Sequence, residues 1–338
     1  MENLDWKNLP FAYQKTDYNI RCYFREGVWG ELESSSSEYV HMHMAATSLH
    51  YGQQAFEGLK AYRGKDDRIR LFRLNENSDR LNRSAHTLLM PEIPVSLFKE
   101  AVVLAVQKNR RFVPPYESGA TLYIRPLLIG SGAEVGVKPA QEYLFMVFVT
   151  PVGPYFKEGF HPVDFVITRS FDRAAPLGTG HVKAGGNYAA GLQAMKRAHD
   201  EGYSSVIFLD AMEKKYIDEC GPANFFAIKD NTYITPDSGS ILPSITNMSM
   251  MQLAADMGMG VERRPVHVDE LGSFDEVGAC GTGAIITPVK KIVDIEAGNV
   301  YEYCPDGIPG PVSQALYNKL LGIQYGDESD TFGWVEYV

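Results

Sequence analysis

Two prolines and a glycine crowd into the six residues Pro151-Val-Gly-Pro-Tyr-Phe156, and this break limits what the chain can build. Proline has no amide hydrogen to give a helix interior or a central strand, and it restrains the residue before it. A linker is therefore expected at about 151–160. It would separate a small N-terminal domain over 1–150 from a larger C-terminal domain over 161–338.

The two sides of that break alternate differently. Before it, 21–24, 39–44, 58–63 and 70–73 read as short strands. A helix over 75–87 opens on a polar cap and carries Arg80 and Arg83. A second helix over 96–112 is amphipathic, capped by Ser96 and ended by Pro114-Pro115. Strands 121–128 and 142–150 follow. After the break come strand 163–170, a glycine-rich loop, helix 188–200, and strands 206–209, 216–219, 224–228 and 233–236. Helix 244–257, strand 260–267, the segment 277–288, strand 292–293 and helix 311–321 complete the chain. Runs of short strands with helices between them make a mixed α/β or α+β architecture.

Composition excludes several classes. The chain has 338 residues and a net charge of −10, which argues against nucleic acid or an anionic membrane as partner, since both want basic patches. Cys22, Cys220, Cys280 and Cys304 are far apart, as in a reducing compartment, and form neither a disulfide framework nor a zinc site. The N-terminus has no signal-peptide pattern and no apolar stretch reaches membrane-spanning length, so a cytoplasmic protein is expected. His41 and His43 would share one strand face, but no third ligand is near and no metal is expected.

The glycine-rich loop is Gly178-Thr-Gly-His-Val-Lys-Ala-Gly-Gly-Asn-Tyr188. Lys183 sits in it among small residues with no acidic neighbour. Burial without a counter-charge lowers a lysine from its ordinary pKa near ~10.4 and makes it a nucleophile for carbonyls, the chemistry of a Schiff-base lysine. A glycine loop with a solvated lysine reads equally well from this stretch alone.

Other features gain meaning beside Lys183. Arg80, taken alone, reads as a surface arginine paired with Asp79 or Glu76. Asp218 and Glu219 end a strand, and alternation sends them to opposite faces, so that one points inward and could hold a proton on a ring nitrogen. Pro243-Ser-Ile245-Thr246 opens a helix with free N–H groups, suited to phosphate or simply to capping. Gly278-Ala-Cys-Gly-Thr282-Gly283 is a second glycine turn, but it lacks the third glycine of a dinucleotide fingerprint. An amine, an arginine, a carboxylate, the Tyr188 phenol and two phosphate-type turns are what pyridoxal phosphate needs.

Lys183-Ala-Gly-Gly-Asn-Tyr188, Glu219-Cys-Gly-Pro-Ala-Asn-Phe-Phe and Gly281-Thr-Gly-Ala-Ile-Ile-Thr-Pro288 closely resemble the branched-chain-amino-acid aminotransferases of fold type IV. So do Tyr51-Gly-Gln-Gln-Ala-Phe-Glu-Gly-Leu-Lys60 and Leu122-Tyr-Ile-Arg-Pro-Leu127. The motifs are collinear from about residue 20 to the C-terminal helix. The resemblance implies a two-domain pyridoxal-phosphate enzyme with a small N-terminal α+β domain and a larger, barrel-like C-terminal α/β domain that carries the lysine. It further implies that Lys183 bonds the cofactor aldehyde, Glu219 pairs with the pyridine nitrogen, and Tyr188 donates to the ring oxygen. Arg80, the Ile245 and Thr246 amides and Thr282 would hold the phosphate. Tyr51, Phe56 and Tyr155 would line the apolar pocket. Tyr123 and the Thr282–Gly283 turn would meet the α-carboxylate, and Arg125 would support Tyr123 and receive the distal carboxylate of glutamate.

The reaction implied is reversible ping-pong transfer of the amino group of leucine, isoleucine or valine to 2-oxoglutarate, in a homodimer. A D-amino-acid aminotransferase or aminodeoxychorismate lyase of the same fold would share the cofactor residues and differ in the pocket. A catalytically inactive metabolite-binding protein is the non-enzyme alternative. Pro222 stands where some members have threonine, and no Cys-x-x-Cys pair is present, so no thiol switch is expected.

Overall fold

The computed structural model describes residues 4–155 and 159–338, which form two compact units. The first unit comprises Met1–Lys157, Val182–Gly185 and Gly322–Val338; the second comprises Glu158–His181 and Gly186–Leu321. The segment carrying Lys183 thus packs with the first unit, where the sequence places it in the second.

The first unit is an open sheet with helices on one face. Its strands are β1 (Asn19–Arg25), β2 (Val28–Trp29), β3 (Glu33–Ser35), β4 (Gln54–Phe56), β5 (Leu59–Arg63), β6 (Ile69–Phe72), β7 (Thr121–Gly130) and β8 (Tyr143–Val152). The C-terminal strand Val335–Tyr337 joins the edge on β6. The sheet's spine is the antiparallel pair β7–β8, in register from Thr121 opposite Val152 to Gly130 opposite Tyr143. The helices are α1 (Thr47–His50), α2 (Leu74–Thr87) and α3 (Val95–Lys108). Leu81 and Ala85 of α2 and Phe98, Ala101 and Ala105 of α3 pack with Leu59, Ala61, Leu122, Ile124, Leu128, Val147 and Val149 of the sheet. Each fully buried Leu, Ile, Val or Phe in such a layer contributes about 1.5–3 kcal/mol. Strand alternation then leaves Phe56, Lys60, Tyr123 and Arg125 on the opposite face.

The second unit is built on a closed barrel. Its strands are β9 (Val163–Thr168), β10 (Ser205–Leu209), β11 (Ile217–Cys220), β12 (Ala223–Lys229), β13 (Thr232–Pro236), β14 (Gly260–Arg264), β15 (Glu276–Gly281), β16 (Ile285–Asp294) and β17 (Asn299–Glu302). The order β11-β10-β9-β16-β15-β12 returns on itself, because β11 also pairs with β12. Phe165, Ile167, Ile207, Leu209, Phe225, Ala227, Val277 and Val289 share one core. The alternate residues Val166, Val206 and Phe208 pack instead against Ala194 and Ala198 of α4 (Gly185–Asp200). Helix α5 (Ile245–Asp256) lies against β13, β14 and β15, and α6 (Pro311–Tyr325) follows the barrel.

Several expected boundaries move for local reasons. No strand forms over 39–44: Tyr39 and Met44 are exposed and no strand pairs with them among the described residues. Helix α3 starts after Pro94 with no side-chain cap, so Ser96 lies inside its first turn. It stops at Lys108 because the buried Asn109 side chain turns to the Asp17 and Tyr18 amides. Strand β8 runs on through Pro151 and Val152, since β1 leaves it at Val147 and the missing amide hydrogen breaks no ladder on that side. Strand β14 ends at Arg264, before Pro265. Helix α4 begins at Gly185, and α6 continues to Tyr325. Of the expected linker, residues 156–158 lie outside the described residues.

Candidate active site

In the first unit the polar face of the sheet collects the predicted residues around Lys183. The Lys183 carbonyl accepts the Phe56 amide at 3.1 Å, and its own amide donates to Ser84 Oγ at 3.1 Å. An antiparallel bridge between Ala55 and Ala184 sits beside these bonds. The backbone of the lysine is therefore tied to β4 and α2. Its Nζ lies 4.8 Å from the centre of the Phe56 ring. Burial, with the Arg80 guanidinium close by, pushes Lys183 down to about 8, although the Glu57 carboxylate pulls the other way.

Glu57 is the counter-charge that the lysine loop itself does not contain. It is fully buried and accepts from Arg80 Nε at 2.7 Å, Arg80 Nη2 at 2.8 Å and Asn77 Nδ2 at 2.7 Å. Burial alone would raise its carboxyl. Arg80, Lys183 and Asn77 together hold it below the ordinary carboxylate value. Arg80 is accordingly not a surface arginine on Asp79 or Glu76 but a buried one on Glu57. Asn77, Arg80 and Ser84 are spaced three and four residues apart on α2, so they form one polar stripe on an otherwise packed helix. That spacing is the signal for Asn77 and Ser84 in the sequence, and sequence reasoning missed it.

Across β7 the Arg125 guanidinium lies over Phe56 at 4.8 Å and over Tyr123 at 5.2 Å, and its Nη2 donates to the Tyr123 hydroxyl at 3.1 Å. Arg125 Nε is buried with no hydrogen-bond partner among the described residues. Phe11 meets both Tyr123 and Tyr155 edge-on, at 5.5 and 5.2 Å. A side chain at Gly58 would collide with the Tyr123 hydroxyl, so any larger residue would displace that ring. Lys60 pairs across the strands with Tyr123 and is buried; desolvation alone pushes it down to about 8. Tyr51 stands elsewhere in the unit, donating its hydroxyl to the Val135 carbonyl in a partly exposed position.

In the second unit Glu219 is set by a β-bulge. Ile207 pairs with Cys220 and Leu209 with Ile217, so three residue steps on β11 oppose two on β10. A bulge breaks strict alternation and re-aims side chains. As a result Asp218 and Glu219 do not divide into one inward and one outward group: both are buried and both accept from the loop that follows β13. Glu219 accepts from the Leu242 amide at 2.7 Å and Asn224 Nδ2 at 3.2 Å, and pairs with Arg173 Nε at 2.5 Å. Asp218 accepts from Ser240 Oγ at 2.7 Å, and burial raises its carboxyl.

The same loop runs into α5, whose cap is Ser244, accepting from the Asn247 amide at 3.2 Å. The Ile245 and Thr246 amides find no acceptor among the described residues. At α6 first-turn amides are taken internally: Glu276 accepts the Val312 and Ser313 amides at 2.9 and 2.8 Å. Tyr188 is on the first turn of α4 and partly buried. Thr282 and Gly283 form the turn between β15 and β16, closed by Ile285 at φ 65°, a conformation unfavourable for a β-branched residue. Among the described residues no cluster of potential ligands could hold a metal ion.

Residues 54–292 match the amino-transferase class IV family. A branched-chain-amino-acid aminotransferase of Haemophilus influenzae is 48% identical, over 99% of this chain and 99% of its own. Among solved structures, the Escherichia coli branched-chain amino acid aminotransferase superposes with a TM-score of 0.80 at 29% identity, covering 95% of this chain and 99% of that one. The T.th. branched-chain amino acid aminotransferase, solved with pyridoxamine 5'-phosphate, gives 0.78 at 25% identity, covering 96% and 99%.

Proposed function

The chain belongs to the class IV aminotransferases, and from that premise we propose that it is a branched-chain-amino-acid aminotransferase working with pyridoxal phosphate. It would exchange the amino group of leucine, isoleucine or valine with 2-oxoglutarate. The observation that carries this most is Lys183, an amine with a pKa of about 8 in a setting built by Arg80, Glu57 and Phe56.

The residues fit such a cofactor. An aldehyde needs an amine that is neutral part of the time, and Lys183 has that. A pyridine nitrogen needs a buried anion, and Glu219 beside Arg173 is one. A phosphate needs unspent donors, and the Ile245 and Thr246 amides lie at a helix start with no acceptor among the described residues. When bound, the group supplies a carbonyl with which amines condense and a protonated ring that withdraws electrons.

The chain's own residues do the rest. Lys183 Nζ would take up the α-proton of the amino acid, a task its lowered pKa suits near neutral pH. Glu219 would keep a proton on the ring nitrogen, and Tyr188 would donate to the ring oxygen. Arg80, oriented by Glu57, would hold the phosphate, and so would the Ile245 and Thr246 amides and Thr282. Tyr123 would receive the α-carboxylate, as would the Thr282–Gly283 turn, and Phe56 and Tyr155 would line the apolar pocket; Tyr51, exposed and bonded to the Val135 carbonyl, is not among them. Arg125, whose Nε has no partner among the described residues, receives the distal carboxylate of 2-oxoglutarate. A cation held against aromatic faces lets one pocket accept leucine and a dicarboxylate in turn.

Met44, Leu49, Tyr51, Val135 and Val137 are exposed, and the two segments that carry them are joined by the Ala46–Ala133 bridge and by the Glu134 amide on the Ala45 carbonyl. Apolar patches of this kind mark protein contacts, which supports a homodimer. All four cysteines are free and buried, and burial raises each thiol, which favours a reducing, cytoplasmic setting and offers no reactive thiol for a switch. No described helix is long and apolar enough to cross a membrane.

The test is colour. The purified protein loaded with pyridoxal phosphate should be yellow, lose the colour with leucine and regain it with 2-oxoglutarate. Response to D-alanine alone, or failure to take up the cofactor, would overturn the assignment.

A further inference from the structure

We propose that Arg173 is a positioning residue for the ring nitrogen of the cofactor: it keeps Glu219 ionised and in one orientation, so that the carboxylate can hold a proton there. This rests on the functional reading above. Arg173 lies between β9 and the lysine loop and is itself buried.

The Glu219 carboxylate is divided between two kinds of donor. One oxygen, Oε1, accepts from the Leu242 amide at 2.7 Å and Asn224 Nδ2 at 3.2 Å, both neutral. The other, Oε2, is paired with Arg173 Nε at 2.5 Å. A carboxylate taken out of water with only neutral donors tends to take up a proton. As a neutral acid it could no longer stabilise a protonated pyridine. A permanently charged guanidinium on Oε2 prevents this, because arginine does not lose its proton in proteins.

The arginine is itself fixed. Its Nη1 donates to the Gly180 carbonyl at 3.2 Å and to the Ser240 carbonyl at 2.5 Å. Gly180 belongs to the lysine loop, and a side chain there would collide with the Ser240 carbonyl, which explains the glycine. Ser240 also gives its hydroxyl to Asp218. One side chain thus ties the carboxylate to the loop before Lys183 and to the loop that leads into α5. A lysine could supply the charge but not this planar, multi-donor grip.

The test uses the holoenzyme loaded with pyridoxal phosphate labelled with 15N in the ring, and reads the ring-nitrogen chemical shift alongside turnover. Wild type should show a protonated nitrogen. Arg173→Gln should still take up the cofactor, shift the nitrogen towards its neutral value, and lose kcat by roughly 10–100-fold, the usual effect of removing a partner that orients a functional group. In a Glu219→Gln background, adding Arg173→Gln should cost less than about threefold, because two residues acting through one group do not add. A nitrogen that stays protonated in Arg173→Gln, or losses that multiply in the double variant, would overturn the role. If Arg173→Gln does not fold, Arg173→Lys decides: the retained charge should keep the nitrogen protonated while cofactor is released faster, and a neutral nitrogen contradicts the proposal. Wild-type protein that takes up no pyridoxal phosphate overturns the functional reading itself, and this inference with it.

Discussion

Arg80 holds Glu57 through two hydrogen bonds, 2.7 and 2.8 Å long, with both side chains buried. The pair lies beside Lys183, which feels the arginine and the glutamate with opposite sign. Removing one member leaves the other as an uncompensated buried charge. Glu57→Gln is therefore expected to lower folding stability by about 3–5 kcal/mol, read by urea unfolding at pH 7. A loss below about 1 kcal/mol would show that the pair does not organise the site.

The depressed pKa of Lys183 has a signed consequence for the cofactor-free protein. The folded value is about 8 and the ordinary value 10.5, so between them the unfolded chain binds the extra proton. Stability attributable to this residue therefore rises as pH climbs from about 8 to 10.5; below 8 the full penalty of a buried ammonium remains. Lys183→Met should be more stable than cofactor-free wild type at pH 7, by about 1–3 kcal/mol, and the difference should shrink towards pH 10.5. Equal stabilities across that range would place the amine in water.

Arg125 should separate the two half-reactions. Arg125→Gln removes a charged donor worth about 1.5–3 kcal/mol, so kcat/KM for 2-oxoglutarate should fall roughly 10–100-fold. The value for leucine should change far less, because leucine has no distal carboxylate. Equal losses for both substrates would assign Arg125 to general support of Tyr123 alone.

Association should follow the apolar patch around α1. Leu49→Glu combined with Val137→Glu places two charges on exposed positions. Sedimentation should show a dimer for wild type and a monomer for the double variant, with the melting temperature of each unit little changed. A double variant that stays dimeric would move the interface elsewhere.

Much of this site was legible because its chemistry is written in short stretches. The lysine loop, the Glu219 strand end and the Ser244 cap each follow from residue types within a few positions. The partners that make them work were not. Glu57 reaches Lys183 only because β4 and the lysine loop bridge at Ala55 and Ala184, a pairing distant in sequence. Arg173 reaches Glu219 because β9, which precedes it, pairs with β10 and β10 pairs with β11, contacts between segments distant in sequence. The bulge that turns Asp218 and Glu219 towards one loop has no local signature, since it arises from the register against β10. Likewise, 39–44 carries the residue types of a strand and lacks only a partner, which no local pattern reveals.

Two lysines in the first unit, the partly buried Lys183 and the buried Lys60, are both pushed down to about 8, so a lowered pKa does not by itself select the one that bonds the cofactor. Backbone ties to β4 and α2 and the Arg80–Glu57 pair single out Lys183. The most direct measurement is borohydride reduction of the loaded enzyme followed by peptide mass mapping. A phosphopyridoxyl mass on the peptide containing Lys183, absent from Lys183→Ala, is the predicted result. The same mass on Lys60, or on no lysine, would contradict the account.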